Sequence, residues 1–253
     1  MSQEELREFR PHKSSMVFQK FALLPHRTVA QNAAYGLTIQ GIAEGEAAER
    51  AQRWIDRVGL GGFENHFPAQ LSGGMQQRVG LARALATDAE ILLMDEAFSA
   101  LDPLIRTDMQ DILLDLQEEL HKTIVFITHD LDEALRIGDQ IAILRDGESI
   151  QQGDPQDIIL RPADDYISDF IKDINRGRVI EVRSVMAKAA RASGPKLPMD
   201  TALEDALQTL ASAGKDTGTV IDHDGKTIGK IDINAAITAM ARPDRGTSQP
   251  RYK

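Results

Sequence analysis

The chain has 253 residues, enough for one large domain or for one medium domain followed by a small one. Hydrophobic residues make up 42% of it and charged residues 27%, which is typical of a folded protein with a sizeable core. Its formal net charge of −10 disfavours binding to nucleic acid, and the lack of cysteine excludes disulfides and thiolate metal sites.

No apolar run is long enough to cross a membrane. The longest runs, such as Ile91–Met94 and Ile124–Ile127, are far shorter than the ~20 residues that a helical span needs. The N-terminal stretch MSQEELREFRPHK also lacks the apolar segment of a secretory signal. We therefore expect a protein that neither spans a membrane nor is exported.

The first part of the chain predicts a strand followed by a helical region. Met16-Val17-Phe18 is a short apolar stretch that leads into a loop at Gln19. Glycines and helical periodicity then predict a helical subdomain over about residues 28–88, with a helix near Glu46–Val58.

A second helix, Met75–Ala86, follows Leu71-Ser72-Gly73-Gly74, where Ser and Gly suit a helix N-terminus. Such a terminus can hold an anion.

Two apolar runs predict buried parallel strands. Ile91–Met94 ends in the adjacent carboxylates Asp95 and Glu96, and Thr123–Thr128 is followed directly by His129. Between the strands, apolar residues spaced by three and four predict an amphipathic helix that packs on the sheet: Ile105, Met109, Ile112, Leu113, Leu116 and Leu120. The alternation predicts an α/β fold with a mostly parallel sheet, and catalytic groups favour the edge where such strands end.

The rest of the chain predicts smaller elements. Asp130 and Glu133 predict a capping-box-like start to another helix. Ile141–Leu144 and Glu148–Gln152, separated by an Asp-Gly turn, predict a hairpin.

A helical linker over 161–178 and an α-β-β-α module over 179–241 follow, and the polar tail 242–253 is expected to be disordered.

Several motifs stand in a fixed order. LSGGMQQRVGLARALA (71–86) precedes ILLMDE, SALD follows at 99–102, and His129 follows the next strand. In order and spacing they resemble the signature motif, Walker B strand, D-loop and switch histidine of ABC-transporter ATPases. Gln19, in MVFQKFALLPHRTV, resembles the Q-loop of that family. Any one motif has a purely structural explanation, and only the ordered set favours the family.

The resemblance implies roles in binding ATP and Mg²⁺. Asp95 would hold Mg²⁺ through water, Gln19 would sense the metal, and Glu96 would be the general base. His129 would contact the γ-phosphate. The remaining residues would bind nucleotide across a dimer: Ser72, Gly73, Gly74, Met75, Gln76 and Asp102.

Longer stretches narrow the resemblance. MDEAFSALDPLIRTDMQ and IVFITHDLDEALRIGDQIAIL are similar to the ATPase subunit of importers for quaternary amines such as glycine betaine, choline or proline. This implies ATP hydrolysis at the cytoplasmic face of the inner membrane. The implied partners are a permease, a second ATPase subunit in a homodimer and, indirectly, a substrate-binding protein. Residues 179–240 resemble one cystathionine β-synthase-type (CBS) module, which those importers also carry.

The sequence departs from the family pattern at one point. ABC ATPases need a G-x-x-x-x-G-K-[ST] phosphate loop (Walker A) before the Q-loop, and no glycine precedes Gln19 here. Gly225-Lys226-Thr227 has Val220 in place of the first glycine and lies in a predicted hairpin turn. We therefore expect residues 1–160 to form an ABC domain without its N-terminal third, and this chain alone to hydrolyse ATP poorly.

Two other functions remain open on the sequence. One is a non-catalytic ABC-like partner or regulatory protein, and the other is the ATPase subunit of a different amino-acid or polyamine importer. A DNA-repair or chromosome-maintenance ATPase would need long heptad arms, which the sequence lacks, and its acidic charge also argues against DNA.

Overall fold

The computed structural model describes residues 2–120 and 122–241, without the side chains of Glu8 and Leu120. The expected disordered tail, 242–253, lies outside the described residues. The chain forms two compact units, of which the first ends at Ile137 and the second begins at Gly138. This division falls before the predicted domain boundary at residue 160, because the strands at 141–153 pair with each other and contact the helix that follows them.

The first unit combines a parallel sheet with helices. Its elements, in chain order, are α1 (Gln3–Lys13), β1 (Ser14–Val17), α2 (Val29–Ala33), α3 (Tyr35–Ile39), α4 (Glu44–Arg57), a 3-10 turn (Pro68–Gln70), α5 (Gly73–Ala86), β2 (Ile91–Asp95), α6 (Pro103–Leu120), β3 (Thr123–Ile127) and α7 (Leu131–Ile137). The sheet has the order β1-β2-β3, and both strand pairs are parallel. The predicted α/β fold with a parallel sheet is thus confirmed.

The three strands end together. Val17 lies beside Met94, and Asp95 lies beside Ile127. The residues that follow β1, β2 and β3 therefore meet at one edge of the sheet, the edge at which open α/β sheets carry their functional groups.

Strand β3 differs from the prediction of a buried strand. Ile124 and Phe126 pack against the core, whereas Val125 and Ile127 are 47% and 58% exposed. β3 ends the strand order, and nothing in the described part of the chain covers its second face. An apolar run alone cannot distinguish a strand covered on both faces from one covered on a single face, which explains the error.

The region 28–88 is helical, as the sequence predicts. Helix α4 begins at Glu44 and buries one alanine-rich face along its length. Helix α5 begins at Gly73 rather than at Met75, because Ser72 is its N-cap and its Oγ accepts a hydrogen bond from the backbone N–H of Met75.

Helix α1 forms where the sequence predicts no element. Its cap is a capping box, in which Ser2 Oγ accepts from the Glu5 N–H and the Glu5 carboxylate accepts from the Ser2 N–H. The S-x-x-E pattern was the available signal, but no apolar periodicity accompanies it.

A buried carboxylate ties helix α6 to the loop that carries His129. Glu133 is only 4% exposed and accepts hydrogen bonds from Thr128 Oγ1 at 2.8 Å and from Gln110 Nε2 at 3.3 Å. The guanidinium of Arg106 lies 3.7 Å from the same carboxylate. Three partners on two elements thus hold the charge that the interior would otherwise disfavour.

The predicted capping box at the start of α7 is only half present. Asp130 Oδ1 accepts from the backbone N–H of Glu133 at 3.4 Å, as expected. The Glu133 side chain does not return the bond, because it turns inward to Thr128 and Arg106. The Asp130 N–H donates instead to Thr128 Oγ1, and Asp130 Oδ2 lies 3.2 Å from Arg106.

The second unit contains a hairpin, short helices and a small mixed sheet. Its elements are β4 (Ile141–Arg145), β5 (Glu148–Gly153), α8 (Pro155–Leu160), α9 (Asp165–Phe170), α10 (Arg176–Val179), α11 (Val182–Val185), β6 (Ala187–Lys188), β7 (Lys196–Pro198), α12 (Leu203–Ser212), β8 (Thr217–Ile221), β9 (Thr227–Asp232) and α13 (Ile233–Met240). The predicted hairpin is β4-β5, and the predicted α-β-β-α order is α12-β8-β9-α13. Among the described helices, none has the length and hydropathy that a membrane crossing requires.

Two short strands complete the small sheet beyond the prediction. The order is β6-β9-β8-β7, with β7 parallel to β8 and the other pairs antiparallel. Strands of two and three residues carry too little periodicity to be read from sequence. Gly225 lies in the turn between β8 and β9 with φ +77°, so the GKT tripeptide belongs to a hairpin, as predicted.

Replacement of Gln77 by Met is expected to stabilise the protein. Gln77 on α5 is fully buried, and neither its amide nitrogen nor its amide oxygen has a hydrogen-bond partner among the described residues. An apolar side chain of similar length removes that desolvation cost, so the free energy of unfolding should rise by about 1 kcal/mol in urea denaturation.

The neighbouring Gln76 provides the matched control. Its amide donates to the carbonyls of Pro68 and Leu71, so Gln76→Met should lower the free energy of unfolding by about 1 kcal/mol. Equal destabilisation by both substitutions would show that Gln77 does have a partner.

Replacement of Arg106 by Met should destabilise the first unit. It leaves the buried Glu133 carboxylate without its cation, which typically costs about 3 kcal/mol. Arg57→Met removes a pair with Glu119 in which both side chains are about half exposed, and it should cost less than about 1 kcal/mol. Urea denaturation followed by circular dichroism compares the two, and equal losses would contradict the importance of burial at Glu133.

Candidate active site

Three predicted catalytic side chains meet at the edge where the parallel strands end. Gln19 follows β1, Glu96 follows β2 and His129 follows β3. Gln19 Nε2 donates to Glu96 Oε2 at 2.6 Å, and His129 Nδ1 lies 3.3 Å from Glu96 Oε1. The two oxygens of one carboxylate are thus each faced by a different predicted catalytic residue. We call this group the Gln19–Glu96–His129 cluster.

The backbone around Glu96 holds its carboxylate toward this edge. Glu96 has φ +44°, in the left-handed region, which costs a non-glycine residue about 1–2 kcal/mol. Its N–H donates to the Ile127 carbonyl at 2.8 Å, and its own carbonyl accepts from Ser99 Oγ at 2.9 Å. Strain of this kind at a strand end is common where a functional side chain must point in one direction.

The residues on either side of His129 fix the position of the loop that carries it. Its side chain is 70% exposed, so the imidazole can reach a ligand at the edge of the sheet. The residues on either side of it, Thr128 and Asp130, belong to the network around Glu133.

Burial raises the pKa of Asp132, at the start of α7, and the nearby charge of Asp130 raises it further.

Asp95, the predicted Mg²⁺ ligand, is the exposed last residue of β2. In the described part of the chain no three His, Asp or Glu side chains gather into a metal site. One exposed carboxylate nevertheless suits Mg²⁺, which usually takes one or two protein oxygens and completes its shell with phosphate and water. The residue types fit the metal, and their roles as ligands remain a prediction.

The predicted signature residues lie at the start of α5. Ser72 and Gly73 are exposed and bring the free N–H groups of a helix N-terminus to the surface. Gly74 is buried, and a β-carbon there would lie 2.4 Å from Ile105 Cγ2 on α6, so this position needs glycine for close packing. No hydrogen bond or ion pair between described residues joins this end of α5 to Glu96.

Three further predicted residues have structural partners. The Met75 side chain packs against the core, and Gln76 donates to the carbonyls of Pro68 and Leu71. Asp102 Oδ1 accepts from the Ile105 N–H at the start of α6. Their predicted contact with nucleotide is not tested by these interactions and stays a prediction.

Sequence reasoning missed one residue that contacts the cluster and another that contacts the segment after Gln19. Ser99, within the SALD motif, accepts from Gln19 Nε2 at 3.2 Å and so braces the same amide that contacts Glu96. Arg83, within the helix after the signature, donates to the backbone just after Gln19. Both stand inside recognised motifs, but only three-dimensional proximity shows what they contact.

The chain is similar to proteins of one family. The family model described as ABC transporter matches residues 1–99. The glycine betaine transport ATP-binding protein OpuAA of Bacillus subtilis is 50% identical over 91% of this chain and 54% of its own length. The trimethylamine N-oxide transport system ATP-binding protein TmoW of Pelagibacter ubique is 45% identical over 91% of this chain and 68% of its own length.

A solved structure agrees with this relationship. The ATP-binding cassette MJ0796, in a dimeric post-hydrolysis state bound to ADP and Pi, is 36% identical, with a TM-score of 0.55 over 61% of this chain and 68% of that one. The chain spans little more than half the length of the Bacillus relative. With the motif order, the site geometry and these similarities in agreement, the chain belongs to the family of ABC-transporter ATP-binding proteins.

Proposed function

We propose that this chain is the ATP-hydrolysing subunit of an ABC importer for quaternary amines such as glycine betaine, choline or proline. The observation that carries the proposal is the Gln19–Glu96–His129 cluster, in which one carboxylate is oriented from two sides. The similarity to ATP-binding proteins of glycine betaine and trimethylamine N-oxide transport supports the substrate class.

Glu96 acts as the general base in this proposal. Its carboxylate is half-buried, and both of its oxygens have a neighbour that fixes their direction. A positioned carboxylate can take a proton from the water that attacks the γ-phosphate. The Gln19 amide orients that carboxylate, and the exposed His129 imidazole lies where it can donate to a phosphate oxygen.

Asp95 and Gln19 would hold Mg²⁺ by their side-chain oxygens. The ion, when bound, neutralises the charge that develops on the transferred phosphate. The exposed N–H groups at the start of α5, with Ser72 and Gly73, would bind the phosphates of ATP held by a second copy of the subunit.

The partners and location follow from the same proposal. We infer a homodimer that docks on a membrane permease at the cytoplasmic face of the inner membrane, with a substrate-binding protein acting indirectly.

The small sheet β6-β9-β8-β7 with α12 and α13 would be a single CBS-like module. Its parallel β7-β8 pair, joined through α12, supports that assignment.

The first test is Glu96→Gln. Removal of the base should lower kcat for ATP hydrolysis about 100-fold or more. The affinity for ATP should stay within about twofold of the wild-type value, because the Gln side chain has nearly the same size and shape as Glu. Phosphate release and ATP binding are measured on the 253-residue chain. They are measured in parallel on this chain extended at its N-terminus by the strand, G-x-x-x-x-G-K-[ST] loop and helix of an ABC ATPase.

Glu118→Gln is the control, since Glu118 is an exposed carboxylate on the same unit. It should leave kcat unchanged. Retained hydrolysis in Glu96→Gln would show that another group is the base, and no hydrolysis by the extended wild-type protein would favour the non-catalytic partner.

The substrate class is tested by uptake. In cells that produce the protein, Glu96→Gln should abolish uptake of labelled glycine betaine and leave uptake of labelled spermidine unchanged. Loss of spermidine or amino-acid uptake with normal glycine betaine uptake would instead support the alternative importer.

A further inference from the structure

The segment that follows Gln19 adopts an unfavourable backbone conformation. Phe21 has φ +55° and Ala22 has φ +45°, so two consecutive non-glycine residues lie in the left-handed region. Local bonds accompany this turn: the Phe21 N–H donates to the Phe18 carbonyl at 3.2 Å, and the Ala22 N–H donates to the Lys20 carbonyl at 2.5 Å. A conformation that L-residues disfavour persists only where the surroundings hold it.

Arg83, on helix α5, supplies the interaction that holds it. Its Nη1 donates to the Ala22 carbonyl at 2.7 Å, and its Nη2 donates to the Phe21 carbonyl at 3.2 Å. The planar guanidinium fork can reach two adjacent carbonyls at once. Burial lowers the pKa of Arg83, and the nearby Tyr35 opposes this shift.

Phe21 also lies along the surface of α5. A β-carbon built at Gly73 would be 3.7 Å from Phe21 Cζ, and one at Gly80 would be 3.6 Å from the Phe21 carbonyl oxygen. The segment thus rests on the helix from the signature end to the turn that carries Arg83. The other end of the same loop is fixed separately, because the buried Asn32 amide accepts from the Leu24 N–H and donates to the Leu24 carbonyl.

We propose that Arg83 is a positioning residue that fixes the turn at Phe21 and Ala22 and thereby keeps the Gln19 amide on the Glu96 carboxylate. Phe21 is two residues from Gln19, so a change in this turn moves Gln19 directly. Arg83 itself touches neither Glu96 nor any residue assigned to nucleotide. It acts through the backbone, and its importance for hydrolysis rests on the proposed function.

Arg78 offers a matched control on the same helix. It is half-buried like Arg83, and its Nη1 donates to a backbone carbonyl, that of Val58, at 3.2 Å. That carbonyl lies at the end of α4, away from the segment after Gln19. Arg78 Nη2 also lies 3.9 Å from Asp108 Oδ2. Arg78→Met and Arg83→Met therefore both remove a guanidinium donor to a backbone carbonyl, at two different places.

The first measurement is amide hydrogen exchange of the 253-residue chain, followed by mass spectrometry. Arg83→Met should speed exchange in residues 18–25 about tenfold or more, with unchanged exchange in β2 and β3. Arg83→Lys should give a smaller change, because one ammonium replaces two fixed donors. Arg78→Met should leave residues 18–25 as in the wild type and affect residues near Val58.

The second measurement is ATP hydrolysis by the extended protein described above. Arg83→Met should lower kcat about 10- to 100-fold with KM for ATP unchanged, and Arg83→Lys should recover part of the loss. Unchanged exchange in residues 18–25 of Arg83→Met would overturn the proposal, and so would a rise in exchange throughout the first unit. If the wild-type extended protein does not hydrolyse ATP, the proposed function fails, and the exchange result alone decides the role of Arg83.

Discussion

The parallel register of β1, β2 and β3 is the constraint on which the rest of the site depends. Because Val17, Met94 and Phe126 lie side by side, the next residues of three distant chain segments emerge at the same level. A shift of one residue in either strand pair would turn every side chain of that strand to the opposite face. Buried residues on alternate positions, such as Leu92 and Met94, oppose such a shift.

Much of this arrangement could be predicted from the sequence, and the reason is periodicity. The run ILLM followed by two carboxylates indicates a strand end, and the long helix after it follows the spacing of Met109, Leu113 and Leu116, all of them buried. Ser72 before two glycines predicts a helix start for the same local reason. These features depend on residues close in sequence, and so a single chain is enough to see them.

What could not be predicted depends on residues far apart in the chain. Gln19 and Ser99 are eighty residues apart, and no local sequence pattern predicts the hydrogen bond between them. The composition of β3 likewise does not show that one of its faces is exposed, because Val125 and Phe126 are both apolar although they face opposite ways. Glu133 fits a capping box on the sequence, but its burial beside Arg106 redirects the side chain. In each case a tertiary contact outweighs a local preference.

The two adjacent carboxylates at the end of β2 set a condition for binding a phosphate group at this site. Asp95 and Glu96 stand next to each other at the strand end, and the whole chain carries a formal net charge of −10. A polyphosphate approaching two carboxylates is repelled unless a cation lies between them or positive dipoles face it from the other side. The Gln19 amide beside Glu96 carries no charge, so it orients the carboxylate without cancelling that repulsion. In the proposed function, a divalent ion at Asp95 and the N–H groups of a second copy of α5 would provide both kinds of compensation.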